Sequence, residues 1–370
     1  MTARPAAPRF SVTDEQRELR VVTRAFLDRH SGMDAVRAMT DGAAGWDRAG
    51  WRRMADELGL QALTIPEEFG GAGGSAVDLA VVAEEMGRAL YGGPYLPSCV
   101  LAVELLLGTG DPGACARHLP AIGAGELVAA VVHGALPARV DRAAGTPSLT
   151  GAQEFVLHGA DAGLLLVVAR EADGGLSLFA VDPGSPGVVR TPMTTLDATR
   201  PQARVTLDAA PADLVGAAGG AGPALDRSVL AGTAAVVAEQ IGGAARCLEM
   251  AVEYAGVRHQ FDRPIGSFQA IKHRCADMLL ELELARSAAG NAAWALAEDA
   301  ADAELAVSVA KSLSSTAYVF IAGENIQVHG GMGFTWEHPA HLYFRRARSS
   351  AVQFGDAVAH RARIARAVVA

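Results

Sequence analysis

Arg258, Gln260 and Phe261 place a fixed cation, an amide and an aromatic ring within four residues. A guanidinium pairs with phosphate oxygens, an amide can donate and accept, and a ring offers a flat apolar face. Together they suit a diphosphate lying beside a planar ring system. The same three residues also suit a corner between two helices that carries solvated charges, and pattern alone leaves both readings open.

The elements around the trio set its position. A long helical pattern runs into it from about Asp226 and breaks over 262–266, where Pro264 and Gly266 punctuate a short turn. A second helix is expected from Ser267, read as its N-cap, to about Ala300, a third over 301–319, and a last one after Pro339. At the other end, a helix is expected over 12–31 with Thr13 as N-cap, and another from Trp46 to Leu58. The glycine-rich stretch 61–74 lacks both Gly-x-Gly-x-x-Gly spacing and a Lys-Ser/Thr ending, so it reads as a tight connection and not a phosphate cradle. A helix carrying Glu84, Glu85 and Met86 follows, then two short helices over 99–131. From 127 to about 208, short apolar runs such as 163–169 and 176–181 are separated by Gly, Pro and Asp, the pattern of a small antiparallel β domain. Residues 214–222 read as a flexible linker back to helix.

The totals exclude several classes. A chain of 370 residues that is half hydrophobic can bury a large core, and abundant Ala at helical spacing points to packed helices. A net charge of −9 with no basic stripe argues against a nucleic-acid surface. Cys99, Cys115, Cys247 and Cys275 lie far apart, which predicts buried reduced thiols and neither a disulfide framework nor a metal site. Residues 1–10 lack the apolar core of a signal peptide, and no uninterrupted apolar run of membrane-spanning length appears, so a cytoplasmic protein is expected.

Arg258-His-Gln-Phe261, Pro264-Ile-Gly266, Phe268-Gln269 and Ala276-Asp-Met278 resemble the matching segment of acyl-CoA dehydrogenases. Gln327-Val-His-Gly-Gly-Met-Gly-Phe334 resembles that family's Gln-x-x-Gly-Gly-x-Gly-Phe motif, in the same order and at a similar separation. The loop at 61–74 and the Gly125-Glu126 turn are weaker matches, so the resemblance spans nearly the whole chain. It implies a mainly α fold: an N-terminal helical domain over 1–126, a middle antiparallel β domain over 127–213 and a C-terminal four-helix bundle over 214–370. It also implies FAD as cofactor and an acyl-CoA as substrate. The expected cofactor-binding residues are Arg258, Gln260, Phe261, Phe268, Gln269, Gln327, Val328, Gly330, Gly331 and Gly333. In the family these segments reach the pyrophosphate and adenosine of a neighbouring subunit's FAD. His329, inside the glycine loop, reads as either a packing residue or an adenosine contact.

Other family features are missing. The Thr-Glu-Pro-x-Ala-Gly-Ser-Asp loop is replaced by 131–138, and the Trp-Ile-Thr strand by Phe155-Val-Leu157, where Leu157 offers no side-chain hydrogen bond. Family members take the substrate α-proton with a glutamate at one of two places. One corresponds to Phe354 here and the other to Gly232-Thr233, and none of these is an acid. Asp226 and Glu239 are the substitute candidates, each also readable as an ordinary helix carboxylate. The resemblance therefore points to the degenerate partner chain of a heteromeric acyl-CoA dehydrogenase, a dimer or tetramer in lipid or sterol catabolism, with an electron-transfer flavoprotein as acceptor. A self-sufficient homo-oligomer using Asp226 or Glu239, and a non-catalytic scaffold of the same fold, are the alternatives.

Overall fold

Helix α1 (Asp14–His30) starts as the sequence predicts: Thr13 accepts the Gln16 N–H and the Gln16 side chain accepts the Thr13 N–H, a reciprocal cap. A computed structural model describes residues 12–41, 46–134, 138–141 and 146–369 of the chain. Residues 1–10, where no leader is expected, lie outside the described residues, as does 135–137 of the segment replacing the family's acidic loop. The remaining helices are α2 (Met33–Asp41), α3 (Arg48–Leu58), α4 (Ala76–Arg88), α5 (Val103–Gly108), α6 (Pro112–Gly123), α7 (Gly222–Val257), α8 (Gln269–Ala297), α9 (Ala303–His329), α10 (Ala340–Val352) and α11 (Ala357–Val369). The strands of the middle region are β1 (Ala129–Val132), β2 (Ala138–Asp141), β3 (Ser148–Leu157), β4 (Leu164–Arg170), β5 (Leu176–Val181), β6 (Val188–Met193), β7 (Gln202–Pro211) and β8 (Asp213–Val215). The mainly α architecture with a small central sheet is the one the resemblance implies.

The chain forms two compact units. One comprises residues up to Gly32, Ser75–Leu90 and Thr233–Ala370, and is helical. Within it α9 packs against α8, α10 and α11, and α4 against α1 and α8. Buried Glu85 is gripped by Arg20 at 3.0 Å and Arg24 at 2.7 Å. Glu84 binds Arg20 at 2.9 Å and also pairs with Arg286. Burial pushes the Glu84 carboxyl up, but the Arg20 and Arg286 guanidiniums outweigh it and hold its pKa below the usual 4.5. That contribution is complete above the unfolded value near 4.5 and is lost as pH falls through the lower folded value. Glu84→Gln should therefore flatten the fall of melting temperature below about pH 4.5. A parallel fall in the variant would rule this ion pair out as the source.

The other unit comprises Met33–Gly74 and Tyr91–Gly232. Its sheet runs β6-β7-β3-β2-β4-β5-β8, with β1 pairing β4. It is mixed where a purely antiparallel sheet is expected. β1 and β2 pair in parallel with successive parts of one edge of β4. The long excursion through β3 before β4 supplies the crossover that parallel pairing needs. Its core is Leu149, Leu165, Val167, Phe179, Val181 and Val205 with their neighbours, all buried. Residues 95–102 form a π-helical segment that starts before the short helices expected over 99–131. Ser98 fastens this segment to β1, its hydroxyl donating to the Ala129 carbonyl at 2.9 Å and accepting the Ala129 N–H at 2.8 Å.

The stretch 61–74 is a tight connection, as expected. Added Cβ atoms on Gly71 and Gly74 would collide with the carbonyls of Ile65 and Leu63. The stretch 214–222 is no flexible linker. The Gly216 N–H donates to Asp111 at 3.0 Å, the Gly219 N–H to Ser177 at 2.7 Å and the Ala221 N–H to the Leu176 carbonyl at 2.8 Å. Main-chain donors that find fixed acceptors outweigh glycine's intrinsic freedom here. Two helices, α7 and α9 with its extension to Phe334, are long and apolar enough to cross a membrane. Two thirds of each apolar window (67%) is buried inside the protein. Cys99, Cys115 and Cys247 are buried free thiols as the spacing predicts, while free Cys275 is only half-buried.

Candidate functional site

The corner after α7 is a two-residue hairpin. His259–Gln260 pairs antiparallel with Arg263–Pro264, and Phe261 and Asp262 form the turn with φ of 54° and 61°. Both central residues are left-handed, as a type I′ turn requires, yet neither is glycine or asparagine. A bulky residue held there costs on the order of 1–3 kcal/mol, a strain characteristic of sites that present a side chain. The turn falls a residue earlier than the Pro and Gly punctuation suggests, because Pro264 serves as strand and not as turn. Ser267 is not the N-cap of α8. It lies in a 3₁₀ turn, and Phe268 occupies the cap position without a side-chain hydrogen bond.

The hairpin projects Phe261 into solvent at 87% exposure, its ring edge-on to Phe268 at 6.1 Å. Arg263 sits over the Phe268 ring at 4.1 Å, so that cation is engaged. Arg258 is exposed, and its side chain has no ion pair or hydrogen bond among the described residues. Its backbone is fixed instead: the Arg258 N–H donates to Tyr254 at 2.9 Å and its carbonyl accepts from Ile265 at 2.8 Å. The Gln260 amide donates to its neighbour's carbonyl at 2.8 Å, and Gln269 is exposed at the start of α8.

The glycine motif ends α9, which runs ten residues past the expected stop at Val319. Gln327 is exposed and Val328 is buried. Gly330 has φ 59° and ψ −139°, a conformation that only glycine adopts without penalty. A Cβ on Gly330 or Gly331 would meet nothing within 4 Å, so both present bare main chain. Gly333 is packed, with the Ile326 carbonyl 2.8 Å from where its Cβ would lie. Phe334 (84%) and Trp336 (67%) are exposed beside it.

The structure brings the two motifs together through His329, which the sequence left as either a packing residue or an adenosine contact, and through two rings without such a signal. Tyr254, one helical turn before Arg258, stacks on His329 with centroids 4.4 Å apart and planes at 27°. His329 in turn lies 4.2 Å from His338. The His329 ring is buried, which lowers its pKa below the usual 6.5 and keeps it neutral. An unpaired cation, open glycine main chain and an exposed aromatic ring thus share one end of the helical unit. They fit a diphosphate joined to a planar ring.

No carboxylate occupies the family's base positions. Phe354 sits at φ 59° in the turn between α10 and α11, its carbonyl accepting from His360 Nε2 at 3.2 Å. Thr233 is buried in α7. Glu239 is nearly buried and lies 3.8 Å from the Arg346 guanidinium. Asp226 is exposed in the second turn of α7. In β3, Phe155 is a 60%-exposed residue at φ 60°, beside a register shift, and Leu157 is buried.

The family models for the N-terminal and C-terminal domains of acyl-CoA dehydrogenases match residues 13–126 and 221–369. The chain is 36% identical over 341 residues to the acyl-CoA dehydrogenase IpdE2 of Mycobacterium tuberculosis, covering 91% of this chain and 92% of that protein. Its fold is similar to a chain of the ChsE4–ChsE5 complex from Mycobacterium tuberculosis, with a TM-score of 0.89, 30% identity and coverage of 97% and 98%. It is also similar to a variant of the Tcur3481–Tcur3483 steroid ACAD, at 0.86, 29%, 96% and 98%. The chain belongs to the acyl-CoA dehydrogenase family, flavoprotein oxidoreductases that act on acyl-CoA thioesters.

Proposed function

We propose that this chain is one subunit of a heteromeric acyl-CoA dehydrogenase and completes a FAD site shared with a sister chain that carries the base. The observation that carries this reading is a contrast: Arg258 is unpaired among the described residues and the Gly330–Gly331 main chain is open, while the family's base positions hold Phe354 and Gly232-Thr233. Glu239 is already paired with Arg346, and Asp226 is solvated, which supports a base supplied from elsewhere. Arg258 neutralises diphosphate charge. Gly330 and Gly331 let main chain approach it, with Gln327 at hand to hydrogen-bond, while Phe261 and Phe268 cover a ring. Gln260, Gln269, Val328 and Gly333 shape the same surface. When bound, FAD supplies the hydride acceptor for α,β-desaturation of the acyl-CoA. The ChsE4–ChsE5 complex among the similar folds supports the pairing of two chains, and the steroid ACAD supports a bulky, sterol-derived acyl group. Electron transfer to an electron-transfer flavoprotein, a cytoplasmic setting and the three-part division at 126/127 and 213/214 belong to the same reading.

Purification alone and with a co-expressed sister dehydrogenase tests it. The expected result is a colourless chain alone and a yellow mixed tetramer with fewer flavins than subunits. A yellow homo-oligomer with about one FAD per chain, bleached by an acyl-CoA, would overturn it. Arg258→Ala should weaken FAD binding by about 1.5–3 kcal/mol, roughly 10- to 150-fold in Kd, by loss of a charge-assisted contact. Fluorescence titration of the flavin-free assembly reads this directly, and unchanged affinity would remove Arg258 from the site.

A further inference from the structure

Tyr254, His329 and His338 form a file of rings from three different segments, and both histidine rings are anchored to main chain. Tyr254 is in the last turn of α7, where its carbonyl accepts the Arg258 N–H at 2.9 Å. His329 ends α9, with Nδ1 2.8 Å from the Asn325 carbonyl. A carbonyl only accepts, so Nδ1 carries the proton, and this hydrogen bond sets the tautomer and the ring plane. His338 precedes α10 and accepts the Ala340 N–H on Nδ1 at 3.2 Å. The ring separations are 4.4 and 4.2 Å, with planes at 27° and 43°.

The three anchored segments are those that present Arg258, the glycine main chain and Trp336. The far end of the glycine loop is packed, with the Ile326 carbonyl 2.8 Å from the Cβ position of Gly333. Gly330 and Gly331 have no side chains and meet nothing where a Cβ would lie, so the loop's conformation is fixed from its ends. At its start, His329 is 5% exposed and in contact with both of the other rings. We propose that His329 is a positioning residue: its ring clamps the glycine loop to the Arg258 corner, so that cation and bare main chain meet one cofactor diphosphate together. This rests on the shared-FAD reading above. It assigns to an uncharged ring, one that need not touch the cofactor, a share of the cofactor's affinity.

The test uses the flavin-retaining assembly with His329→Ala, His329→Phe, Tyr254→Leu and Arg258→Ala. FAD affinity is read by flavin fluorescence, and the melting temperature of each flavin-free form is read beside it. Two aromatic contacts of ordinary strength predict about tenfold weaker FAD binding for His329→Ala, with recovery to within about threefold in His329→Phe, which keeps the rings filed. Tyr254→Leu, which removes the neighbouring ring, should weaken binding by several-fold, and it carries the test where His329→Ala fails to assemble. A general packing defect would lower the flavin-free melting temperature of His329→Ala without rescue of affinity by phenylalanine, and that overturns the proposal. So does wild-type affinity in His329→Ala and Tyr254→Leu while Arg258→Ala loses FAD. Wild-type affinity in all the variants, Arg258→Ala included, refutes the site reading itself, and the clamp with it.

Discussion

Adding one methyl group at Gly242 is expected to cost on the order of 3 kcal/mol of folding stability, the upper end for an overpacked core. A Cβ there would lie well inside 3.0 Å of the Glu84 carbonyl oxygen and 2.9 Å from the Arg88 nitrogen, both main-chain atoms of α4. The collision is reciprocal. A Cβ on Gly87 of α4 would strike the Glu239 carbonyl of α7. Side chains can rotate away from an intruding methyl, but main chain inside two helices cannot, so the helices must separate and their buried contacts loosen. Gly256, on the same helix, is the control: nothing lies within 4 Å of its Cβ position. Gly256→Ala should be neutral or should stabilise by about 0.5–1 kcal/mol through helix propensity. Denaturant unfolding of the two variants checks the pair, and equal effects would refute the close crossing.

Lys311→Met is expected to cost a similar amount, on the order of 3 kcal/mol, although it removes a charge from the interior. The Lys311 side chain is fully buried on α9. Its ammonium donates to the Ser315 hydroxyl at 2.8 Å and to the carbonyls of Ser350 at 2.7 Å and Ala351 at 3.3 Å. Those carbonyls belong to the last turn of α10, where the helix itself offers no donors and the dipole favours a cation. Methionine matches the volume but leaves the acceptors dry and unpaired, and that desolvation outweighs the relief of the buried charge. Because the same turn leads into Phe354, amide hydrogen exchange over 351–356 should accelerate in the variant. A drop in stability with no change in exchange there would place the effect elsewhere in α9.

The proposed site residues were legible through the family resemblance, since Arg258-His-Gln-Phe261 alone suits an interhelix corner equally well, while Gly330 adopts a conformation that only glycine takes without penalty. The turn that displays Phe261 was not legible. Type I′ turns are read from Asn-Gly or Asp-Gly, and Phe-Asp carries no such signal. The ten residues of α9 beyond Val319 were not legible, since Gly323 interrupts the helical pattern there. Within the helix Ser308, Ser312, Ser314 and Ser315 are buried, and Ser315 accepts from Gln240 of α7 at 3.2 Å, so tertiary packing overrides local preference. The stretch 214–222 misleads for the opposite reason, since its glycines look mobile and are instead tethered by acceptors distant in sequence. The ring file is a tertiary object joining residues 254, 329 and 338, a grouping no local pattern shows.

The cysteines have a practical consequence. Burial raises the pKa of all four thiols, but Cys99, Cys115 and Cys247 are also shielded from reagents, leaving Cys275 as the half-buried thiol, on the second turn of α8 after Phe268. A maleimide dye offered to the native protein therefore has one principal address. The unmodified chain comes with its own handle for distance or fluorescence measurements, two helical turns from the hairpin that displays Phe261.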